Sequence, residues 1–380
     1  MKLLTLDVWA DIAFYGGVSA ALSSAFSLAG LLPCLALFIS LWAVCIATCL
    51  VRASLQVSVA GKAVLITGCD TGFGFALAQH LDALGFRVIA CCLARDGEGA
   101  KKLRASASSR LHILQLDVTS ADDVLRTQQE VEALLPDGEV LWGVVNNAGV
   151  STFGEVEWAP ENTFRKMLEV NVLGTVAVTR AFLPLIRRAK GRVINVASMY
   201  GRMGNVMRAP YVVTKYAVEG LSDCLRHEMR SWGVAVSVIE PGNFVAATNI
   251  FTDDAVRAQG EAMWNALSQR ARSDYTREYF EATVERMLYY TNVGIPDITP
   301  VIEAMTAALT QASPRARYSP MDLATRIRIF VATHLPEYFY DTFYAMTFPD
   351  HPGAAKPEPA PAPSPEPEPE QETEPESSSS

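Results

Sequence analysis

An uncharged run from Ile12 to Val51 dominates the hydropathy pattern at the amino-terminal end of the chain. It exceeds the roughly 20 apolar residues that cross a bilayer as a helix. Its densest part, Leu28 to Val51, is interrupted by Gly30 and Pro33. A single membrane span there is the first expectation, and a helical hairpin turning at Gly30 to Pro33 is the alternative, so residues 1–55 read as a membrane anchor. Beyond it the pattern changes to short apolar runs separated by amphipathic stretches. Ala63 to Ile66, Arg87 to Leu93, His112 to Val118, Leu141 to Val145, Arg192 to Val196 and Val234 to Ile239 read as strands. Asp122 to Leu135 and Phe164 to Leu185 carry helical patterns between them. Such alternation predicts an α/β fold, a doubly wound parallel sheet covered by helices on both faces, over residues 56–350.

The ends of these strands carry the chemistry. The first runs into Thr67-Gly68-Cys69-Asp70-Thr71-Gly72-Phe73-Gly74 and then a helical pattern. Glycines at this spacing permit a tight turn and close backbone approach to a pyrophosphate, and the helix amino terminus favours an anion. A ligand-free glycine turn is the bland alternative, but the following strand at Arg87 completes the βαβ context of a Rossmann-type dinucleotide site. Further on, Tyr211 and Lys215 lie four apart on a helical pattern, thirteen residues after Ser198. A lysine on the same helix face as a tyrosine stabilises the phenolate, which should pull its pKa from about 10 toward neutrality and make it a general base. Taken alone, such a pair is usually an exposed one without chemistry.

The TGxxxGxG loop, Asn146-Asn147-Ala148-Gly149, Asn171, Ser198, the Tyr211 and Lys215 pair, and Pro241-Gly242 followed by Thr248 occur together in one order. In this the chain resembles the short-chain dehydrogenase/reductase family, closely from Gly61 to Asn249 and more loosely to Phe348. Ser151 to Glu157, Phe182 to Val193 and Glu240 to Phe244 resemble the branch of D-beta-hydroxybutyrate dehydrogenase and the membrane-bound steroid and retinol dehydrogenases. The resemblance implies that Tyr211 accepts the alcohol proton, that Lys215 holds the nicotinamide ribose, and that Ser198 binds the substrate oxygen. It implies a water-mediated proton relay through Asn171. The cofactor contacts it implies are Thr67, Gly68, Asp70, Gly72, Phe73, Gly74, Asp117, Val118, Asn147, Ala148, Gly149, Tyr211, Lys215, Pro241, Gly242 and Thr248. Asp117, expected at the adenine, also suits a cap for the next helix.

Cofactor preference is read as NAD over NADP. Cys92 occupies the position after the second strand where NAD-preferring members often carry an acid, and Arg95 nearby invites NADP. Asp70, against this, would repel a 2′-phosphate. For the substrate, Arg202 and Arg208 are candidate carboxylate anchors for a small hydroxy acid, whereas Met199, Tyr200, Met203 and Met207 in the same loop suit a steroid or retinoid. The leading expectation is oxidation of (R)-3-hydroxybutyrate to acetoacetate. A lipid-alcohol dehydrogenase and a non-catalytic nucleotide-binding scaffold are the alternatives.

Residues 243–299 carry helical patterns at Asp254 to Leu267 and Arg277 to Tyr290, and the family resemblance implies that they form a lid over the substrate. Within 320–348, the aromatic and apolar residues of Ile327 to Ala332 and Tyr338 to Met346 suit either packing on the core or contact with membrane phospholipid, on which the resembled hydroxybutyrate enzyme depends. Residues 351–380 form an acidic Pro/Glu tail too polar to fold. The tail holds seven of the glutamates behind the formal charge of −9, so the remainder is nearly neutral and no nucleic-acid partner is expected. The seven cysteines lack metal-ligand spacing, so reduced thiols and no metal site are expected. A homo-oligomer is expected. The first 51 residues contain no arginine, unlike a mitochondrial transit peptide, which favours an endoplasmic-reticulum membrane over a mitochondrial one.

Overall fold

A computed structural model describes residues 5–29, 34–248 and 250–347. The acidic tail and the turn at 30–33 lie outside the described residues. Two helices open the chain, α1 (Leu6–Leu28) and α2 (Cys34–Ser54). They lie side by side and antiparallel: Trp42 donates its indole N–H to the Ile12 carbonyl at 2.9 Å, and Cys34 lies 3.7 Å from the Ser23 hydroxyl. Gly16 makes this approach possible, since a Cβ there would sit 3.1 Å from the Trp42 ring nitrogen. The two helices form an antiparallel pair, in which α2 and not α1 is a candidate membrane span, in accord with the single-span expectation. The outer faces of the pair leave Phe14, Leu22, Leu35, Ile39 and Val44 exposed, and α2 is long and apolar enough to cross a membrane.

The sheet follows as β1 (Lys62–Thr67), α3 (Gly72–Leu84), β2 (Arg87–Cys92), α4 (Glu98–Ser106), β3 (Leu111–Gln115), α5 (Ala121–Leu134) and β4 (Val140–Asn146). Next come α6 (Glu161–Leu168), a single π-helical turn (Glu169–Gly174), α7 (Thr175–Ala189), β5 (Arg192–Val196), α8 (Ala209–Met229) and β6 (Ala235–Ile239). The lid contains α9 (Asp253–Ala266), α10 (Gln269–Tyr275) and α11 (Arg277–Thr291). The chain then forms α12 (Thr299–Thr310), β7 (Arg317–Tyr318), α13 (Leu323–His334) and α14 (Glu337–Thr347).

All seven strands are parallel, in the order β3-β2-β1-β4-β5-β6-β7. The strand interiors are mainly apolar because both faces are covered, with Asn146, Asn195 and Ser237 among the buried polar exceptions. Val64 and Ile66 of β1 enter one core with Leu77, Val301 and Met305, while Ala63 and Leu65 enter the other with Val178, Phe182 and Leu225. Strand order reverses between β1 and β4, so the loops that follow them diverge and open a crevice at their carboxyl ends.

Three sequence expectations shift. The third strand ends at Gln115 instead of Val118, because Asp117 folds back to accept from the Thr119 amide at 2.9 Å and hydroxyl at 2.7 Å. Ser120, not Asp117, caps α5 by accepting from the Asp123 amide at 3.2 Å. The two-residue β7 and the buried α12 lie outside the expected elements, although Val301, Ile302, Met305, Ala308 and Leu309 of α12 recur at helical spacing. The lid takes the expected two helices and gains α10 between them, built on its own core of Phe153, Trp158, Phe251, Met263 and Phe280.

Candidate active site

Threonine 67 organises the crevice. Its hydroxyl accepts from the backbone amides of Asn147 (3.1 Å) and Ala148 (2.9 Å), and Asn147 donates from Nδ2 to the carbonyls of Thr67 (2.9 Å) and Gly68 (3.1 Å). The loops after β1 and β4 are thus one unit. Gly68, at φ 69°, is obligatory there: a Cβ would come within 2.8 Å of the Ala148 Cα. Gly74 lets the helix pack on the loop, since a Cβ would lie 2.3 Å from the Gly68 carbonyl oxygen. At Gly72, φ 60°, a Cβ would meet Thr248 at 3.4 Å, so the glycine turn and the Pro241 to Thr248 segment face each other closely. Thr71 precedes α3 without a side-chain cap, which leaves the first amides of that helix available to an anion. These features fit a dinucleotide pyrophosphate.

Asp70 lies in the crevice wall, and its carboxylate accepts from the amides of Leu93 (2.9 Å) and Ala94 (3.4 Å). An acid therefore stands at the end of β2 after all, supplied by the glycine loop instead of by Cys92. Arg95 is exposed and does not line the crevice. Asp117, Val118 and Gly74 are likewise absent from the lining, with Asp117 in its local turn and Val118 packed against Gly174.

The crevice widens into a cavity of about 680 Å³ reaching from Gly68 and Gly72 to Ser198, Tyr211 and Lys215 and on to the lid. Ser198 lies two residues beyond β5 in extended conformation, and its hydroxyl accepts from the Tyr200 amide at 3.2 Å. Tyr211 and Lys215 share the cavity face of α8, with the Lys215 ammonium 5.4 Å from the Tyr211 ring centre. Asn171 sits in the π-turn, where the freed main-chain carbonyl is taken by the Thr175 hydroxyl at 2.9 Å. Its side chain accepts from the Val150 amide at 2.8 Å and donates to the Val150 carbonyl and the Thr214 hydroxyl, each at 3.0 Å. Both ends of that amide are engaged as a brace between the β4 loop and α8.

Burial governs the titration of this cluster. It pushes Tyr211 up to about 12, against a hydrogen bond from Ser198 and the charge of Arg208, which both pull it down. Burial lowers Lys215 to about 8 against the pull of Glu219, and its ammonium donates to the Val196 carbonyl at 2.9 Å. In the ligand-free protein the net shift of Tyr211 is therefore upward, because desolvation is the largest influence on it.

The two candidate substrate arginines separate. Arg202 turns away from the cavity to Glu240, 3.8 Å off, in a cluster where Arg317 also meets Glu219 (3.1 Å) and Glu240 (3.3 Å). Arg208 is buried at 8 % exposure, lines the cavity, donates to the Thr152 carbonyl at 3.2 Å and lies over the Phe251 ring at 4.3 Å. No carboxylate pairs with it among the described residues, and burial lowers its pKa. Arg286 of α11 and Arg328 of α13 also line the cavity. Arg286 could have been found from helical spacing, since Thr283, Arg286, Met287 and Tyr290 share one stripe and all reach the cavity.

Glu219, one turn beyond Lys215, is raised by burial and by the Glu240 charge from its ordinary 4.5 to about 7, against Arg317. A raised acid binds its proton more tightly when folded, so stability is gained as pH falls from about 7 toward 4.5. Glu219→Gln should therefore gain most over the natural protein at pH 7.5 and lose that advantage at pH 5.5. Thermal melts of both proteins at the two pH values check this, and a pH-independent difference would refute it.

Comparison with known proteins accords with this geometry. The model for short chain dehydrogenases matches residues 62–256. The chain belongs to the short-chain dehydrogenase family. Bovine (Bos taurus) mitochondrial D-beta-hydroxybutyrate dehydrogenase is 50% identical over 290 residues, 75% of this chain and 84% of that protein. Mouse (Mus musculus) retinol dehydrogenase 7 is 39% identical over 258 residues, 68% of this chain and 80% of that one. A solved short-chain dehydrogenase from Streptomyces avermitilis superposes with a TM-score of 0.58 at 26% identity, covering 75% of this chain and 97% of its own. As a member of this family the chain is an oxidoreductase, and its exposed apolar hairpin accords with membrane association.

Proposed function

We propose that this protein oxidises (R)-3-hydroxybutyrate, or a close 3-hydroxy acid, to the 3-keto acid with NAD, while attached to a membrane. The observation that carries the reading is Arg208: a buried cation on the cavity wall, without a carboxylate partner among the described residues, close enough for its charge to act on Tyr211. A substrate carboxylate on Arg208 would complete that charge and hold a hydroxyl two carbons away near Tyr211 and Ser198. Relatives named D-beta-hydroxybutyrate dehydrogenase from cattle, mouse and rat, at 48–50% identity, support the same substrate.

In this mechanism Tyr211 takes the hydroxyl proton as hydride leaves the carbinol carbon, and Ser198 donates to the developing carbonyl oxygen. Lys215 would turn from the Val196 carbonyl to the cofactor ribose, where its charge lowers the Tyr211 pKa. Asn171 holds α8 and the β4 loop in register through Thr214 and Val150. The bound nicotinamide supplies the hydride acceptor. Gly68, Gly72, Phe73, Asn147 to Gly149, Pro241, Gly242 and Thr248 would enclose the dinucleotide, and Asp117 with Val118 would lie toward its adenine. Asp70 at the end of β2 supports NAD over NADP, because its charge opposes a 2′-phosphate there.

The uncharged run from Ile12 to Val51, with α2 long and apolar enough to cross a bilayer, supports membrane attachment. Exposed Ile327, Phe330, Leu335, Tyr338 and Phe339 on α13 and α14 support phospholipid contact. The arginine-free amino-terminal segment favours the endoplasmic reticulum, and the mitochondrial relatives favour the mitochondrial membrane. A second substrate reading, a lipid alcohol such as retinol, is favoured by Phe244, Ile250 and Met287 in the cavity. NADH formation from (R)-3-hydroxybutyrate and from retinol, with and without phosphatidylcholine, decides between them. Turnover of the hydroxy acid is the expected result, and turnover of retinol alone would defeat it.

A further inference from the structure

The amino-terminal helix is bonded into the wall of the cavity. Asp7, in the first turn of α1, meets Arg326 of α13 at 2.6 Å and accepts from the Ser319 amide at 3.3 Å. Arg315 donates to the Asp7 carbonyl at 3.1 Å and pairs with Asp11 at 2.7 Å. Asp7 and Arg326 are both largely buried, and Val8 and Ile12 beside them are buried as well.

The gripped segment has a second side. The Tyr318 carbonyl accepts from the Glu240 amide at 2.8 Å and the Pro320 carbonyl from the Gly242 amide at 3.1 Å, so residues 318–320 brace the strand end that carries Pro241 and Gly242. Immediately afterwards α13 begins, and its Asp322, Thr325 and Arg328 line the cavity. Residues two apart on a helix point to nearly opposite sides, which is why Arg326 faces α1 while Arg328 faces the cavity. Within α13, Thr325 is the one buried residue, and Leu323, Ile327 and Phe330 are exposed. A helix with so little apolar burial is held chiefly by its polar bonds, and Asp7 supplies a central one.

We propose that Asp7 is a positioning residue for the substrate end of the site: through Arg326 it seats α13, and thereby Arg328, against the cavity. The amino-terminal hairpin is then a working part of the enzyme as well as its anchor. The proposal rests on the cavity being the substrate site described above. Removing the Asp7 charge leaves a buried guanidinium unpaired, a costly state that α13 relieves by moving.

The test uses full-length Asp7→Asn and Asp7→Glu proteins in phosphatidylcholine vesicles, with steady-state kinetics and hydrogen exchange of the α13 amides. Asp7→Asn should raise KM for (R)-3-hydroxybutyrate by about 5- to 20-fold, with kcat and the KM for NAD changed little, and should speed exchange in α13. Asp7→Glu should recover most of both. Arg326→Lys, which keeps the charge but loses the fork, should move both readouts in the same direction and serves if Asp7→Asn does not fold. Unchanged α13 exchange overturns the latch, and faster exchange with an unchanged substrate KM overturns its positioning role. Should the natural protein leave hydroxybutyrate untouched, the substrate reading alone fails, and exchange in α13 still decides the latch.

Discussion

Tyr211→Phe is expected to lower kcat for alcohol oxidation by about 10²- to 10⁴-fold, the range for loss of a positioned general base. The substitution is a clean one. Tyr211 is buried and packs edge-on with Tyr200 at 6.4 Å between ring centres, so a phenyl ring keeps the packing and loses only the hydroxyl. Ser198 would lose its phenolic partner but keep its bond from the Tyr200 amide. Binding of NAD, measured by quenching of tryptophan fluorescence, should survive. The pH profile sharpens the test: burial holds Tyr211 near 12 in the free protein, so its reactive, deprotonated form grows as pH rises, and oxidation should accelerate with pH through the neutral range. The variant should lose that rise. Retention of more than about a hundredth of the rate would remove Tyr211 from the role of base.

Arg208→Met is expected to raise KM for (R)-3-hydroxybutyrate by about 30- to 1,000-fold, the equivalent of about 2–4 kcal/mol for truncating one member of a desolvated, hydrogen-bonded charge pair. Oxidation of an uncharged secondary alcohol should change far less, because it places no carboxylate on the guanidinium. Stability should move in the opposite sense. Burial already lowers the Arg208 pKa, which means that the ligand-free fold bears the cost of its charge, and a methionine of similar length removes that cost. A higher melting temperature together with a weakened substrate KM is thus the signature of a binding residue. A lower melting temperature with an unchanged KM would make Arg208 a strut for Thr152 and Phe251 instead.

Arg202 and Arg208 illustrate where the sequence stops informing. They sit six positions apart in one loop, and as letters they are equivalent. The fold separates them because Arg202 meets Glu240, at the end of β6, whereas Met207, at φ 62°, turns the chain so that Arg208 follows Thr152 and Phe251 inward. Every one of those partners is distant in the chain. Asp70 teaches the same lesson in the other direction: Cys92 looked like a missing acid, yet the carboxylate reaches the end of β2 from a loop more than twenty residues earlier.

The strand-turn-helix grammar, the glycine loop, the Tyr211 and Lys215 pair and the apolar anchor were legible in the sequence alone, because each is a pattern within a few residues, set by helix and strand periodicity or by glycine's freedom at positive φ. Tertiary structure alone decided four things: that α1 packs on α2 and pairs through Asp7 with Arg326 of α13, that Asn171 bonds Val150 and Thr214, that Lys215 rests on Val196, and that Arg208 and not Arg202 faces the cavity. The physical reason is common to all four. A buried polar group takes its role from the partner that satisfies it, and here the partner lies on another element, beyond the reach of any local pattern.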